Sequence, residues 1–126
     1  MLAIGLMVSK AEVRRILVVD EDRNTRAALA ELLCDAGYSV MTASTDREVA
    51  VALESFQPTV MLSEVRTRGS WLVDDVANER HTSRGPLRVL MSTARMPRDV
   101  GVPWIKKPID LDVLLELLRQ ITRGPG

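Results

Sequence analysis

The stretch Ile16-Leu17-Val18-Val19-Asp20-Glu21 decides how the rest of the chain is read. Four apolar residues follow one another with no polar residue between them, which suits a strand covered on both faces of a parallel sheet. Two acidic residues then end the run. Beyond it, Ala28, Leu29, Leu32, Leu33 and Ala36 recur at helical spacing from Asp22 to Ala36, and Gly37 stands where a helix stops. Tyr38 to Thr42 reads as a second strand. Thr45 followed by Glu48 is a capping-box pattern, and Val49, Leu53 and Phe56 form the apolar stripe of its helix. Pro58 breaks that helix, and Val60-Met61-Leu62 is a third strand ending near Glu64.

The second half repeats the alternation more weakly. Val65 to Ser70 is a basic loop, and Trp71 to Arg80 is a helix carrying Leu72, Val73 and Val76. Gly85-Pro86 punctuates before a fourth strand, Leu87 to Met91. Trp104-Ile105 makes a short fifth strand. Asp110 caps a last helix whose Leu111, Leu114, Leu115, Leu118 and Ile121 face inward. Strict strand–helix alternation predicts a parallel sheet with helices on both faces and right-handed connections.

Composition agrees with one domain. The chain has 126 residues, 46% of them apolar but only 3% aromatic, so the core is built from Leu, Val, Ile, Ala and Met. Formal net charge is zero and basic residues form no long run, so neither nucleic acid nor an anionic membrane is favoured as a partner. Cys34 is the single cysteine, which excludes an internal disulfide and points to a reducing, cytoplasmic setting; it reads as a helix packing residue and not as a reactive thiol. Residues 1–13 are taken as an N-terminal extension, with Met7 a second candidate start. Residues 14–122 are taken as the domain and 123–126 as a tail. The apolar Met1–Val8 stretch is too short to span a bilayer, which needs about 20 residues.

In parallel α/β sheets the site lies at the carboxyl ends of the strands. Those ends bring Asp20 and Glu21, Glu64, Ser92 and Thr93, and Lys107-Pro108 to one cleft. Carboxylates of this kind suit a loosely held Mg²⁺. A metal, a lysine and a hydroxyl are also what phosphoryl transfer needs, because the moving group carries spread negative charge.

From about Arg14 to Ile121 the chain resembles the receiver domain of two-component response regulators. Ile16 to Glu21 resembles the family's first strand and acidic pair. Asp35-Ala36-Gly37-Tyr38-Ser39-Val40 resembles the turn into its second strand, Ser92-Thr93-Ala94 its switch segment, and Trp104-Ile105-Lys106-Lys107-Pro108 its aromatic-x-x-Lys-Pro segment. The resemblance implies a flavodoxin-like, doubly wound, five-stranded sheet of order 2-1-3-4-5. It puts Asp20, Glu21 and Glu64 at the Mg²⁺ ligands, Lys107 at the family's lysine, and Thr93 and Trp104 at its switch pair. It makes the protein a non-enzyme that works with a histidine kinase or a downstream effector, with a homodimer left open.

Two departures stand out. Glu64 occupies the position of the aspartate that accepts the phosphoryl group, and its extra methylene displaces the carboxylate by about 1 Å, an error worth on the order of a hundredfold in rate. Its carboxylate is long enough to reach Thr93 or Lys107 directly, imitating the phosphorylated state or forming a plain ion pair. The segment from Ala94 to Lys106, with Pro97, Gly101 and Pro103, leaves the family's fourth helix truncated or absent. Arg66 and Arg68 read either as a solvated loop or as cations for the acidic cleft, His81 as an exposed polar residue, and Trp71 as a cover at the cleft edge. Three functions follow: a degenerate receiver acting through protein–protein contacts, a conventional Mg²⁺-dependent phosphoacceptor, and, from another class, an aspartate-nucleophile phosphatase built on Asp20-Glu21-Asp22. No output domain is read in these 126 residues, so output is expected to run through a partner or self-association.

Overall fold

The computed structural model describes residues 14–64, 86–93 and 101–123. Its elements are β1 (Arg15–Val19), α1 (Arg23–Asp35), β2 (Ser39–Ala43), α2 (Asp46–Ser55), β3 (Val60–Glu64), β4 (Leu87–Ser92), β5 (Trp104–Lys106) and α3 (Leu111–Arg123). The readings for residues 1–13, 65–85, 94–100 and 124–126 lie outside the described residues; these include the basic loop, the helix from Trp71, His81 and most of the fourth-helix segment.

The five strands form one sheet of order β2-β1-β3-β4-β5, every described pairing parallel. Side chains of a strand alternate between faces, and the core divides accordingly. Ile16, Val18, Val60, Leu62, Val89, Met91 and Ile105 face Leu29 and Leu33 of α1 and Leu114 and Leu118 of α3. Leu17, Val19 and Met61 face the opposite way, onto Val49 and Ala52 of α2. With β2 and β3 on opposite sides of β1, helices α1 and α2 must take opposite faces if both crossovers share one hand, and they do.

Local chemistry fixes the helix ends. Asp22 caps α1, its carboxylate accepting from the backbone N–H (2.8 Å) and hydroxyl (2.6 Å) of Thr25. At the other end Gly37 sits at φ 102°, a conformation that costs side-chain-bearing residues dearly, and Tyr38 N–H donates to Leu33 O while Gly37 N–H donates to Cys34 O. Thr45 accepts from Glu48 N–H as the capping box predicts, but the Glu48 carboxylate turns to Ser44, accepting from its backbone N–H (2.7 Å) and hydroxyl (3.1 Å). Asp110 caps α3 by accepting from Asp112 and Val113 N–H.

Cys34 corrects an expectation: it is exposed and not part of the buried core. The buried stripe of α1 is Leu29 and Leu33, and Cys34 lies one residue beyond it, turned about 100° around the helix. Ala28 and Ala36 are exposed too, and Leu32 is 41% exposed, so the inward face of α1 is narrower than its apolar content suggests. The α2 stripe likewise centres on Val49, Ala52 and Leu53, with Phe56 half-buried at its C-cap.

Two substitutions test this architecture by urea unfolding. Leu118→Ala, in the fully buried seam of α3, is expected to lower the unfolding free energy by about 2–5 kcal/mol. Gly37→Ala is expected to lower it by about 1–2 kcal/mol through backbone strain alone, since a Cβ there meets nothing within 4 Å. A neutral Gly37→Ala would mean that the turn is not left-handed.

Candidate functional site

Parallel pairing puts every strand's carboxyl end on one edge of the sheet. Asp20 follows β1, Glu64 ends β3, Ser92 ends β4 and Lys107 follows β5. Lys107 is pinned there because its backbone N–H donates to Ser92 O at 2.8 Å, carrying the β4–β5 pairing one residue further. From that anchor its ammonium donates to Asp20 Oδ2 at 3.0 Å and to Glu64 Oε2 at 3.1 Å. Residues 87 and 43 positions apart in the chain thus meet at one nitrogen.

Asp20 is the buried member. Its side chain is wholly shielded from water, against 13% exposure for Lys107 and 28% for Glu64. All of its polar groups are engaged: Oδ1 accepts from Asp22 N–H at 2.8 Å, Oδ2 from Lys107, its carbonyl from Arg26 Nη1 at 2.8 Å, and its own N–H donates to Ala43 O. Sequence reading missed Arg26. The usable signal was its place six residues after Asp20, in the first turn of the helix that starts beside the strand end.

Burial disfavours the Lys107 ammonium, but the hydrogen bonds and negative charges of Asp20 and Glu64 outweigh it, so its pKa is raised. The Thr25 hydroxyl and N–H hold the exposed Asp22 carboxyl below its ordinary range.

The other expected site residues do not join this cluster. Glu21 is exposed, in the bend that leads from β1 into α1. Thr93 is exposed as well, and no hydrogen bond joins it to Glu64 or Lys107. Trp104 is half-buried in β5 and lines a groove against Val113, Glu116 and Leu117 of α3. Mg²⁺, which the resemblance implies, asks for several oxygen ligands in near-octahedral array. Among the described residues no three Asp, Glu, His or Cys side chains stand together as such a group, and the Lys107 ammonium lies between the two carboxylates that do meet. As placed, these residues do not fit the ion.

Lys107→Met would leave the shielded Asp20 carboxylate without its cation, and a loss of about 3 kcal/mol in unfolding free energy is expected. A raised folded pKa means that the contribution of Lys107 is complete below its ordinary 10.5 and is lost as pH climbs through the folded value. The stability gap between wild type and Lys107→Met should therefore be flat through neutral pH and shrink above pH 10.5. A gap that closed near neutrality would exclude the ion pair as its source.

No protein-family model matches the chain. Curated relatives do. It is 30% identical over 118 residues to the DNA-binding transcriptional regulator NtrC of Salmonella typhimurium, covering 83% of this chain and 24% of that protein. It is 33% identical over 118 residues to the response regulator MprA of Mycolicibacterium vanbaalenii, covering 86% of this chain and 50% of that protein. The chain thus spans about a quarter to half the length of these relatives. Among solved structures, the chemotaxis response regulator CheY4 of Vibrio cholerae superposes with a TM-score of 0.71 at 26% identity, covering 86% of this chain and 98% of that one. Among the described residues no helix is long and apolar enough to cross a membrane. Sheet order, the carboxylate–lysine cleft at the strand ends and these likenesses agree that the chain is a receiver domain of the response-regulator type found in two-component systems.

Proposed function

We propose that this chain is a degenerate receiver: it does not take up a phosphoryl group and acts through contacts with another protein, a histidine kinase or a downstream effector. The observation that carries the reading is Glu64 at the end of β3, its carboxylate 3.1 Å from Lys107. The resemblance assigns that position to an acceptor aspartate. An acyl phosphate forms only if a carboxylate oxygen lies in line with the incoming phosphorus, and a displacement of about 1 Å costs on the order of a hundredfold in rate. The extra methylene of glutamate supplies such a displacement. The Lys107 bond adds to it, because one of the two carboxylate oxygens already serves an ammonium.

Of the two forms this degeneracy can take, a standing ion pair is favoured over imitation of the phosphorylated state. Glu64 reaches Lys107, whereas Thr93 remains exposed and unbonded to it. The cleft is then a fixed structural joint, and signalling depends on the surface it supports. The conventional phosphoacceptor is the second reading, and the 28% exposure of the Glu64 side chain favours it, since a small phosphodonor can approach. The phosphatase reading finds no support in the same geometry: the Asp20 carboxylate is shielded from water and doubly bonded, a poor nucleophile.

Incubation of the purified domain with Mg²⁺ and acetyl phosphate, followed by intact-mass measurement, separates the two leading readings. No change in mass is expected. A gain of one phosphoryl group, removed by hydroxylamine and absent from Glu64→Gln, would establish the conventional phosphoacceptor instead.

A further inference from the structure

We infer that Lys107 is the resident cation of the strand-end cleft and that it stands in place of a divalent metal ion, so that the domain closes its acidic site without Mg²⁺. The inference rests on the cleft being the receiver site, as proposed above, but not on whether that site is phosphorylated.

Three observations point to it. First, the Lys107 ammonium lies between the carboxylates a metal would have to bridge, at 3.0 Å from Asp20 and 3.1 Å from Glu64, and spends two of its three donors there. A dication bridging them would have to break both contacts. Second, Asp20 cannot turn to offer itself elsewhere. Its Oδ1 holds Asp22 N–H and its carbonyl holds Arg26, so the oxygen facing the cleft is the one Lys107 already uses. Third, the charges do not balance with a metal added. Asp20, Glu64 and Lys107 sum to −1, and a dication would turn that to +1 where Asp20 has no access to water. Glu21 would restore neutrality, but it is exposed and no three-carboxylate group forms among the described residues.

Thermal unfolding of the full chain in chelator and in excess MgCl₂ or MnCl₂, with no phosphodonor present, tests this. The wild-type midpoint is expected to move by less than about 1 °C. Lys107→Met removes the internal cation, leaves −2 in the cleft and should gain a divalent-dependent rise of about 3 °C or more. Lys107→Gln, which keeps a hydrogen-bond donor while removing the charge, carries the same expectation and guards against a Met variant that fails to fold. A wild-type rise of several degrees that disappears in Asp20→Asn would overturn the inference. So would folded Lys107 variants that remain indifferent to the ions, since something other than Lys107 would then exclude them. If neither variant folds, the wild-type measurement decides alone. Because no phosphodonor is present, metal binding by the wild type sinks this inference and leaves the question of phosphorylation to the mass measurement.

Discussion

One ammonium between two carboxylates ties the carboxyl edge of the sheet together. Lys107 joins the end of β5 to the ends of β1 and β3, strands that are not neighbours of β5 in the sheet. Such a contact can exist only if all three strands run the same way and end at the same level. An antiparallel strand would carry its last residue to the far edge. The interaction is therefore a consequence of the parallel topology and, once formed, a constraint on it. Its weight comes from burial. An exposed ion pair contributes little, but the Asp20 carboxylate has no contact with water and depends on Lys107 and Asp22 N–H for its hydrogen bonds.

What holds the edge in place is the two-sided core beneath it. β1 and β3 are apolar on both faces, so their backbones are fixed by packing from α1 and α3 on one side and α2 on the other. Asp20 and Glu64 are the first residues past that packing, where the chain emerges and charged groups become tolerable. The site is thus positioned by apolar burial and selected by charge. Arg26 links the two regimes, since it projects from the first turn of α1 and holds the Asp20 carbonyl, coupling the helix start to the strand end.

This division explains what could be read from the chain and what could not. Apolar runs are a one-dimensional signal, unbroken in β1, followed by Ser63 and Glu64 in β3 and interrupted by Arg88 in β4, and they located all three strands to within a residue or two, hence the strand-end cleft. Gly37 and Asp110 were legible because each acts on its own backbone neighbours. Cys34 was misread because apolar character says a residue can be buried, not that it lies on the stripe that is. Leu32, at 41% exposure, shows the same ambiguity. Glu48 turned to Ser44 in place of Thr45, a choice between donors one residue apart that spacing does not resolve. Proximity to Asp20 in the sequence suggested Glu21 as a partner in the cluster, yet the chain bends at Glu21 and leaves it exposed, and among the described residues no three acidic side chains stand together as a metal-holding group.

Glu64 joins these threads. An aspartate at the end of β3 would hold its carboxylate one methylene closer to the backbone. The longer side chain lets the oxygen come to the ammonium, and the acidic cleft finds its counter-charge within the chain. Length and charge meet at this position: the proposal that Glu64 takes up no phosphoryl group and the ion pair with Lys107 both turn on the reach of one side chain. A cleft satisfied in this way has less need of an incoming cation or phosphoryl group to organise it. The pair of contacts acts as a clasp, joining the ends of β1 and β3 to the residue that follows β5.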